Sequence, residues 1–261
     1  VSLALVDGDI VAYRASVAAQ EDIDWGDGNM GLTVNVKSAC QNALSIARTW
    51  IEKSRCERAI MCFSDPSGDN FRKLVGPYKE SRTGGKPECY WEVVDTLHEE
   101  WEVKVIRMLE ADDVMGILST SPKVKGAVIV SIDKDMKTIP GKLLNPMKDK
   151  RPRTVSPYEA DMFWMLQTLI GDTVDGYKGC PGIGPIKAER ALAGAPNLAA
   201  MWAVVQGLYI ASGSNTTAAL MNARFARILR REDYDKEKEE VLLWTPHKRS
   251  PERLKLSTRG K

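Results

Sequence analysis

The run Ala127-Val128-Ile129-Val130-Ser131-Ile132, closed by Asp133, is the most legible strand in the chain. It is apolar and β-branched on both faces instead of alternating, and a strand of that kind is covered on both sides. Working outward, residues 3–6 (LALV) end at Asp7-Gly8-Asp9, residues 59–63 (AIMCF) stop at Ser64-Asp65-Pro66, and a strand over 103–106 precedes Leu109-Glu110-Ala111-Asp112-Asp113. Helical patterns separate these runs. Residues 37–54 place Ala39, Ala43, Ile46 and Trp50 at helical spacing, and further helices are predicted over about 89–102 and 111–118. Strands alternating with helices imply an α/β fold with a mostly parallel central sheet flanked by helices.

The second half changes character. Ser156-Pro157-Tyr158-Glu159 is a capping box with proline at the first helical position, launching a helix to about residue 170. A glycine-rich segment (176–184) follows, then helical patterns near 185–193, 198–211 and 216–231. The expected division is an α/β core over 1–155, a helical region over 156–246 and a basic tail over 247–261. That tail, with six Lys/Arg against one Glu, reads as mobile.

The chain has 261 residues, enough for one large domain or two small ones, and is 43% hydrophobic and 28% charged, which argues against disorder. No apolar run reaches the ~18–20 residues of a membrane span, and the opening VSLALVDGD lacks a basic flank. The five cysteines are scattered without CxxC spacing, so they read as free thiols in a reducing compartment, with no zinc ribbon or disulfide scaffold. With His98 and His247 as the only histidines, chemistry falls to carboxylates, hydroxyls, lysines and arginines. The net charge of +2 conceals strong segregation of the two signs.

The acids lie at element ends. Asp7 and Asp9 follow the first strand, Asp65 the second, Glu110, Asp112 and Asp113 the third, Asp133 and Asp135 the fourth, and Asp172 and Asp175 follow the helix ending near residue 170. Any one Asp there is ordinarily a turn former or helix cap, and Asp9 suits a cap best. As a set they call for another account, because the carboxyl ends of parallel strands share one edge and the acids would converge and raise each other's pKa values. Hard divalent cations resolve that crowding. Two ions ~3.5–4 Å apart can activate water and stabilise the leaving oxygen of a phosphate ester.

Two further segments bear on the partner. Residues 70–87 (NFRKLVGPYKESRTGGKP) hold Arg72, Lys73, Lys79, Arg82 and Lys86 against Glu80, with Phe71 and Tyr78 interleaved. Cations meet phosphates and aromatic faces stack on unpaired bases. The plainer alternative, an exposed basic loop with both aromatics packed in the core, stands beside it. Residues 179–188 (GCPGIGPIKA) read as a tight turn into a helix. Gly182 and Gly184 permit close backbone approach, the new helix start suits a phosphate, and Lys187 adds charge.

Together these segments resemble the 5′-nuclease superfamily of flap endonucleases and 5′→3′ exonucleases, in particular phage 5′→3′ exonucleases and the 5′-nuclease domain of bacterial DNA polymerase I. The likeness runs from about residue 3 to 192. It is carried by LVDGD, the string D-x5-FR-x5-YK-x2-R from Asp65 to Arg82, LEADDVMGIL (109–118), SIDKDM (131–136) and GDTVDGYKGCPGIGPIKAERAL (171–192). The resemblance implies a PIN-like core and a helix–three-turn–helix module over about 171–193. It also implies a first metal held by Asp7, Asp65, Glu110, Asp112 and Asp113, and a second served by Asp133, Asp135, Asp172 and Asp175. By the same likeness, Lys79 and Arg82 contact the scissile phosphate from an arch over 70–88, with Arg72 and Tyr78 beside them, and the glycine turn with Lys187 holds duplex. Gly176 stands where many relatives carry Asn, and the acidic stretch 21–28 maps onto nothing in the family.

The expected activity is Mg²⁺-dependent hydrolysis of DNA near 5′ ends with two ions, Mn²⁺ substituting, in bacterial or phage-infected cytoplasm, with no organic cofactor and no membrane. Preference for flaps or duplex ends, RNA primers as substrate and oligomeric state stay open. Two rivals remain. LALVDGDIV also fits a haloacid dehalogenase-like phosphatase, whose nucleophile is an Asp; a DNA-binding protein without catalysis is the other.

Overall fold

The computed structural model describes residues 2–24, 26, 30–81, 84–246 and 252–256. The chain opens with strand β1 (Leu3–Asp7) and helix α1 (Gly8–Val17), whose first turn is capped by Asp7. A hairpin of β2 (Gln20–Asp24) and β3 (Met30–Val34) follows, then α2 (Val36–Ser54), β4 (Arg58–Phe63), the single turn α3 (Arg72–Val75), α4 (Tyr90–Glu100) and β5 (Glu102–Val105). Next come α5 (Ala111–Ser119), β6 (Val128–Val130), a 3-10 turn (Lys134–Thr138), β7 (Gly141–Leu144) and β8 (Arg153–Val155). The later part is helical, with α6 (Pro157–Ile170), α7 (Pro185–Leu192), α8 (Leu198–Ala211) and α9 (Thr216–Ala226), and it closes on β9 (Tyr234–Asp235), β10 (Glu240–Leu243) and β11 (Glu252–Lys255).

The main sheet runs β5-β4-β1-β6-β7-β8. Its first five strands are parallel, and β8 adds antiparallel at the edge. The expected α/β architecture is thus present, extended by two strands the sequence did not announce. Alternation along β1 separates two cores. Ala4 and Val6 pack with α1, α2 and α4 on one face, while Leu5 packs with α5, Ile129 and Val241 on the other. A third core, around Trp164, Trp202 and Tyr209, joins α6 to α9. Placing β4 and β6 on either side of β1 makes the carboxyl end of β1 the point where the chain's winding reverses, where open α/β sheets form their crevice.

Two expectations are corrected here. The helix predicted over 216–231 ends at Ala226, because Ile228 and Leu229 are drawn into the core as extended chain. The tail predicted as mobile contributes β11, which pairs with β10, and Leu256 is buried. Residues 247–251 and 257–261 of that tail lie outside the described residues.

Candidate active site

Asp7 ends β1 and is almost wholly buried. Its carboxylate accepts from the Ile10 amide (3.1 Å) and from the Ser131 hydroxyl just after β6 (2.7 Å). Burial, reinforced by Asp9 and Asp133 and only partly offset by those hydrogen bonds, pushes its pKa up to about 7. Asp112, in the first turn of α5, is driven well above the carboxylate range by burial and then by Asp7, Asp133 and Glu110. Asp135 rises to about 7 through burial and Asp133, with Asp172 and Asp175 adding to it and Lys134 opposing. Acids from β1, α5, the 3-10 turn and the loop after α6 therefore feel one another, with Asp133 common to both groups.

The Lys79 ammonium closes directly onto Glu110 and lies 3.6 Å from Asp175. Its backbone, in the left-handed region at φ 55°, donates to the Asp175 carbonyl (3.0 Å). The Tyr78 hydroxyl sits 3.1 Å from Glu110 and 3.0 Å from Asp175 and donates to one at a time. Burial works against ionisation of Glu110, but Lys79 and Arg72 overcome it and hold the pKa down to about 2. Segment 70–81 is thus folded over the acids, and cations keep Glu110 ionised while Asp7, Asp112 and Asp135 are pushed toward their protonated forms.

Several expected site residues have other work. Arg72 is buried, not on a DNA-facing surface. It forks onto Asp113 at 2.7 and 2.8 Å and donates to the carbonyls of Phe225 (3.2 Å) and Arg227 (2.6 Å). Asp113, fully buried, gives its oxygens to Arg72 and to the Leu229 amide (3.0 Å), so neither faces the shared pocket. The Phe71 and Tyr78 rings are packed in the core, as the plainer alternative had it, and only the Tyr78 hydroxyl reaches the acids. Asp65 braces its own loop, accepting from the amides of Ser67 (3.1 Å) and Met108 (2.6 Å). Those bonds outweigh burial and lower its pKa. Arg82 lies outside the described residues.

In the loop after α6, Asp172 and Tyr177 exchange backbone hydrogen bonds (2.8 and 3.1 Å), which turns Asp172 and Asp175 toward Lys134 and Lys79. Gly171 and Gly179 pinch this loop shut. Both have positive φ, and a Cβ on either would come within about 2.5 Å of the other's backbone. Pro181 and Gly182 then form the centre of a turn closed by the Ile183 amide on the Cys180 carbonyl (3.1 Å), with φ +72° at Gly182 as a type II turn requires. Space beside Gly182 and Gly184 is open. The Lys187 ammonium donates to the Gly182 carbonyl (3.0 Å), and α7 begins at Pro185.

Sequence reasoning passed over Ser131 and Gln167. Gln167, buried on α6, donates to Asp135 at 2.5 Å. A polar residue inside the run Trp164-Met165-Leu166-Gln167 was the available signal. Asp9, thought a cap, instead accepts from Ser64 and from the Tyr90 hydroxyl (2.8 Å), whereas Asp7 caps α1.

Among the described residues no three Asp, Glu, His or Cys side chains are gathered tightly enough to hold one ion alone. The donor set nevertheless suits a hard cation. It is all oxygen, its Asp7, Asp112 and Asp135 resist ionisation beside one another until a cation replaces their protons, and it fits an ion that takes one or two carboxylates and fills its remaining positions with water or phosphate. The phosphatase alternative fares poorly, because a single Asp nucleophile leaves Asp112, Asp135 and Lys79, gathered with it, without work.

Comparison with known proteins agrees with this geometry. The chain is 29% identical to the exodeoxyribonuclease of Enterobacteria phage T3, over 93% of this chain and 92% of that protein. It is also 29% identical to the exonuclease of Escherichia phage T7, over 93% of each. The fold matches a structure of the T5 D15 protein co-crystallised with metal ions at a TM-score of 0.63, with 16% identity over 87% of this chain and 89% of that one. It matches the T5 D15 flap endonuclease in complex with DNA and metal ions at 0.58, with 17% identity and the same coverage. The sequence profile of the 5′-3′ exonuclease, N-terminal resolvase-like domain, covers residues 2–159, and the chain belongs to that family.

Proposed function

We propose that this chain is a divalent-metal-dependent 5′ nuclease that hydrolyses DNA phosphodiester bonds at or near 5′ ends. The observation carrying this reading is the convergence of acids from separate elements beyond β1 and β6, with Lys79 folded over them. The likeness to the phage T3 and T7 exonucleases, over 93% of this chain, supports it. Asp7 and Asp112, with Glu110, would hold one Mg²⁺, and Asp133, Asp135, Asp172 and Asp175 a second, with Mn²⁺ able to substitute. Such ions would polarise the scissile phosphate and make water nucleophilic near neutral pH.

The protein's own groups do the rest. Ser131 and the Ile10 amide fix the direction of Asp7, and Gln167 fixes Asp135. The ammonium of Lys79 is within reach of a phosphate lying between Glu110 and Asp175, where it would stabilise the charge that develops in the transition state. Arg82 is proposed to contact the 5′ strand, and the turn at Gly182 and Gly184, with Lys187 and the start of α7, the downstream duplex backbone.

The test mixes purified protein with 5′- and 3′-labelled duplexes and flaps, in Mg²⁺ or in EDTA. Release from 5′ ends in Mg²⁺ alone is expected. Release from 3′ ends, or cleavage persisting in EDTA, refutes the proposal, and the same assay with RNA-primed ends settles primer use.

A further inference from the structure

Among the described residues a cluster of unpartnered cations lies away from the acids. Residues 121–130 and 139–155 carry seven Lys/Arg and one acid, Asp149, whose carboxylate accepts from the Asn145 amide (2.8 Å). Lys142 and Arg151 from these segments reach the β7–β8 side of the sheet at the end where β1 and β6 begin. A cavity of about 300 Å³ opens there, lined by Arg55, Lys142 and Arg151 together with Ser54, Cys56 and Thr154, and no carboxylate lines it. Among the described residues none of the three cations forms an ion pair or donates a side-chain hydrogen bond, and all three are exposed. Lys142 stands directly opposite Thr154 in the β7–β8 pairing, so both side chains leave the sheet on one face.

Lysines on an edge strand also discourage sheet-to-sheet association, but that explains only charge on β8 itself. Arg55 follows α2 and Lys142 is on β7, an inner strand, yet both line the same cavity as Arg151. Cations gathered from three separate segments with no acid among them match a polyanion whose charges are regularly spaced.

We propose that Arg55, Lys142 and Arg151 form an auxiliary track for backbone phosphates of the DNA substrate, on the side of the sheet opposite the acids. The proposal rests on the nuclease reading and extends it. A five-residue strand such as β1 separates the two ends by roughly 17 Å at about 3.3 Å per residue. At about 3.4 Å per phosphate along a strand this straight line alone spans about five nucleotides, and because DNA must pass around the sheet, only DNA extending well beyond that from the scissile bond reaches the track.

The experiment compares wild type with Arg55→Gln/Lys142→Gln/Arg151→Gln, measuring binding in EDTA by anisotropy on duplexes of about 6 and about 30 base pairs across a salt series. For the long duplex the variant's affinity should fall roughly tenfold or more, and its log–log salt slope should become shallower by about 2–3. Short-duplex affinity, and its cleavage rate in Mg²⁺, should not change. Equal long-duplex binding by the two proteins overturns the track. Acetylation of wild-type lysines provides a reading free of substitution. Protection of Lys142 by long but not short duplex is expected, and equal labelling with and without DNA overturns the proposal. Wild-type cleavage of the short duplex tests the nuclease reading separately, so either idea can fail alone.

Discussion

Replacing Asp113 by Asn would show whether Arg72 is a buried clamp or a DNA contact. In the native chain the guanidinium is held by two charge-assisted bonds to Asp113 and by the carbonyls of Phe225 and Arg227, with Glu110 more distant at 3.4 Å. Asn keeps the shape but removes the charge and turns an amide toward a donor, leaving the Arg72 cation inside the protein with carbonyls and one remote carboxylate. Breaking one side of a buried pair costs about 3–5 kcal/mol. At about 2–4 °C per kcal/mol for a protein near this size, Tm should fall by roughly 6–20 °C. Thermal unfolding by circular dichroism in EDTA measures it. The double variant Arg72→Met/Asp113→Leu removes both charges and should recover most of the loss, a coupling that the cycle completed by the single Arg72→Met and Asp113→Leu variants quantifies. A shift of Asp113→Asn within about 2 °C, or additive losses in the double variant, would refute the clamp. So would an Arg72→Met protein that keeps its Tm and loses only DNA affinity.

Metal-free stability should fall as pH rises from about 5 to 7. Asp7 and Asp135 hold their protons to about pH 7 when folded, while the unfolded chain releases them near pH 4, so the native state binds more protons throughout that window. Each group contributes a slope of at most about 1.4 kcal/mol per pH unit, and Mg²⁺ should raise Tm more at pH 8 than at pH 5.5. A melting temperature that climbs steadily with pH in EDTA would contradict this. Lys79→Ala should cut the cleavage rate at saturating substrate by roughly a hundredfold or more while duplex binding changes only a few-fold, and loss of binding alone would reassign Lys79 to anchoring. Gln167→Leu should weaken Mn²⁺ binding, read by calorimetry, by roughly 10–100-fold, because an unheld Asp135 carboxylate is free to turn away; unchanged affinity would show that the amide contributes nothing.

The central strands were legible because burial on both faces leaves an unbroken apolar run, as in residues 127–132. Strand β7 and the edge strand β8 were not, since Gly-Lys-Leu-Leu and Arg-Thr-Val are too short and too polar to stand out and owe their extended shape to the strands beside them. The hairpin strand Gln20–Asp24 is acidic and largely exposed, and its pairing with β3 is equally invisible to periodicity. The same division holds at the site. Asp7, Asp133 and Asp135 could be read from their position after strands, a local property. Arg72 could not, because its basic neighbours Lys73 and Lys79 suggest a surface, whereas its partners are Asp113 and two carbonyls more than 150 residues away. Gln167 became meaningful only once α6 was seen to lie against the turn carrying Asp135.

The clasp around Arg72 also sets an order of events during synthesis. The guanidinium waits for carbonyls at Phe225 and Arg227, and Asp113 for the Leu229 amide, so the support beneath Glu110 stays incomplete until most of the polypeptide has left the ribosome. A fragment ending near residue 159 would keep most of the acids yet lack the brace beneath them.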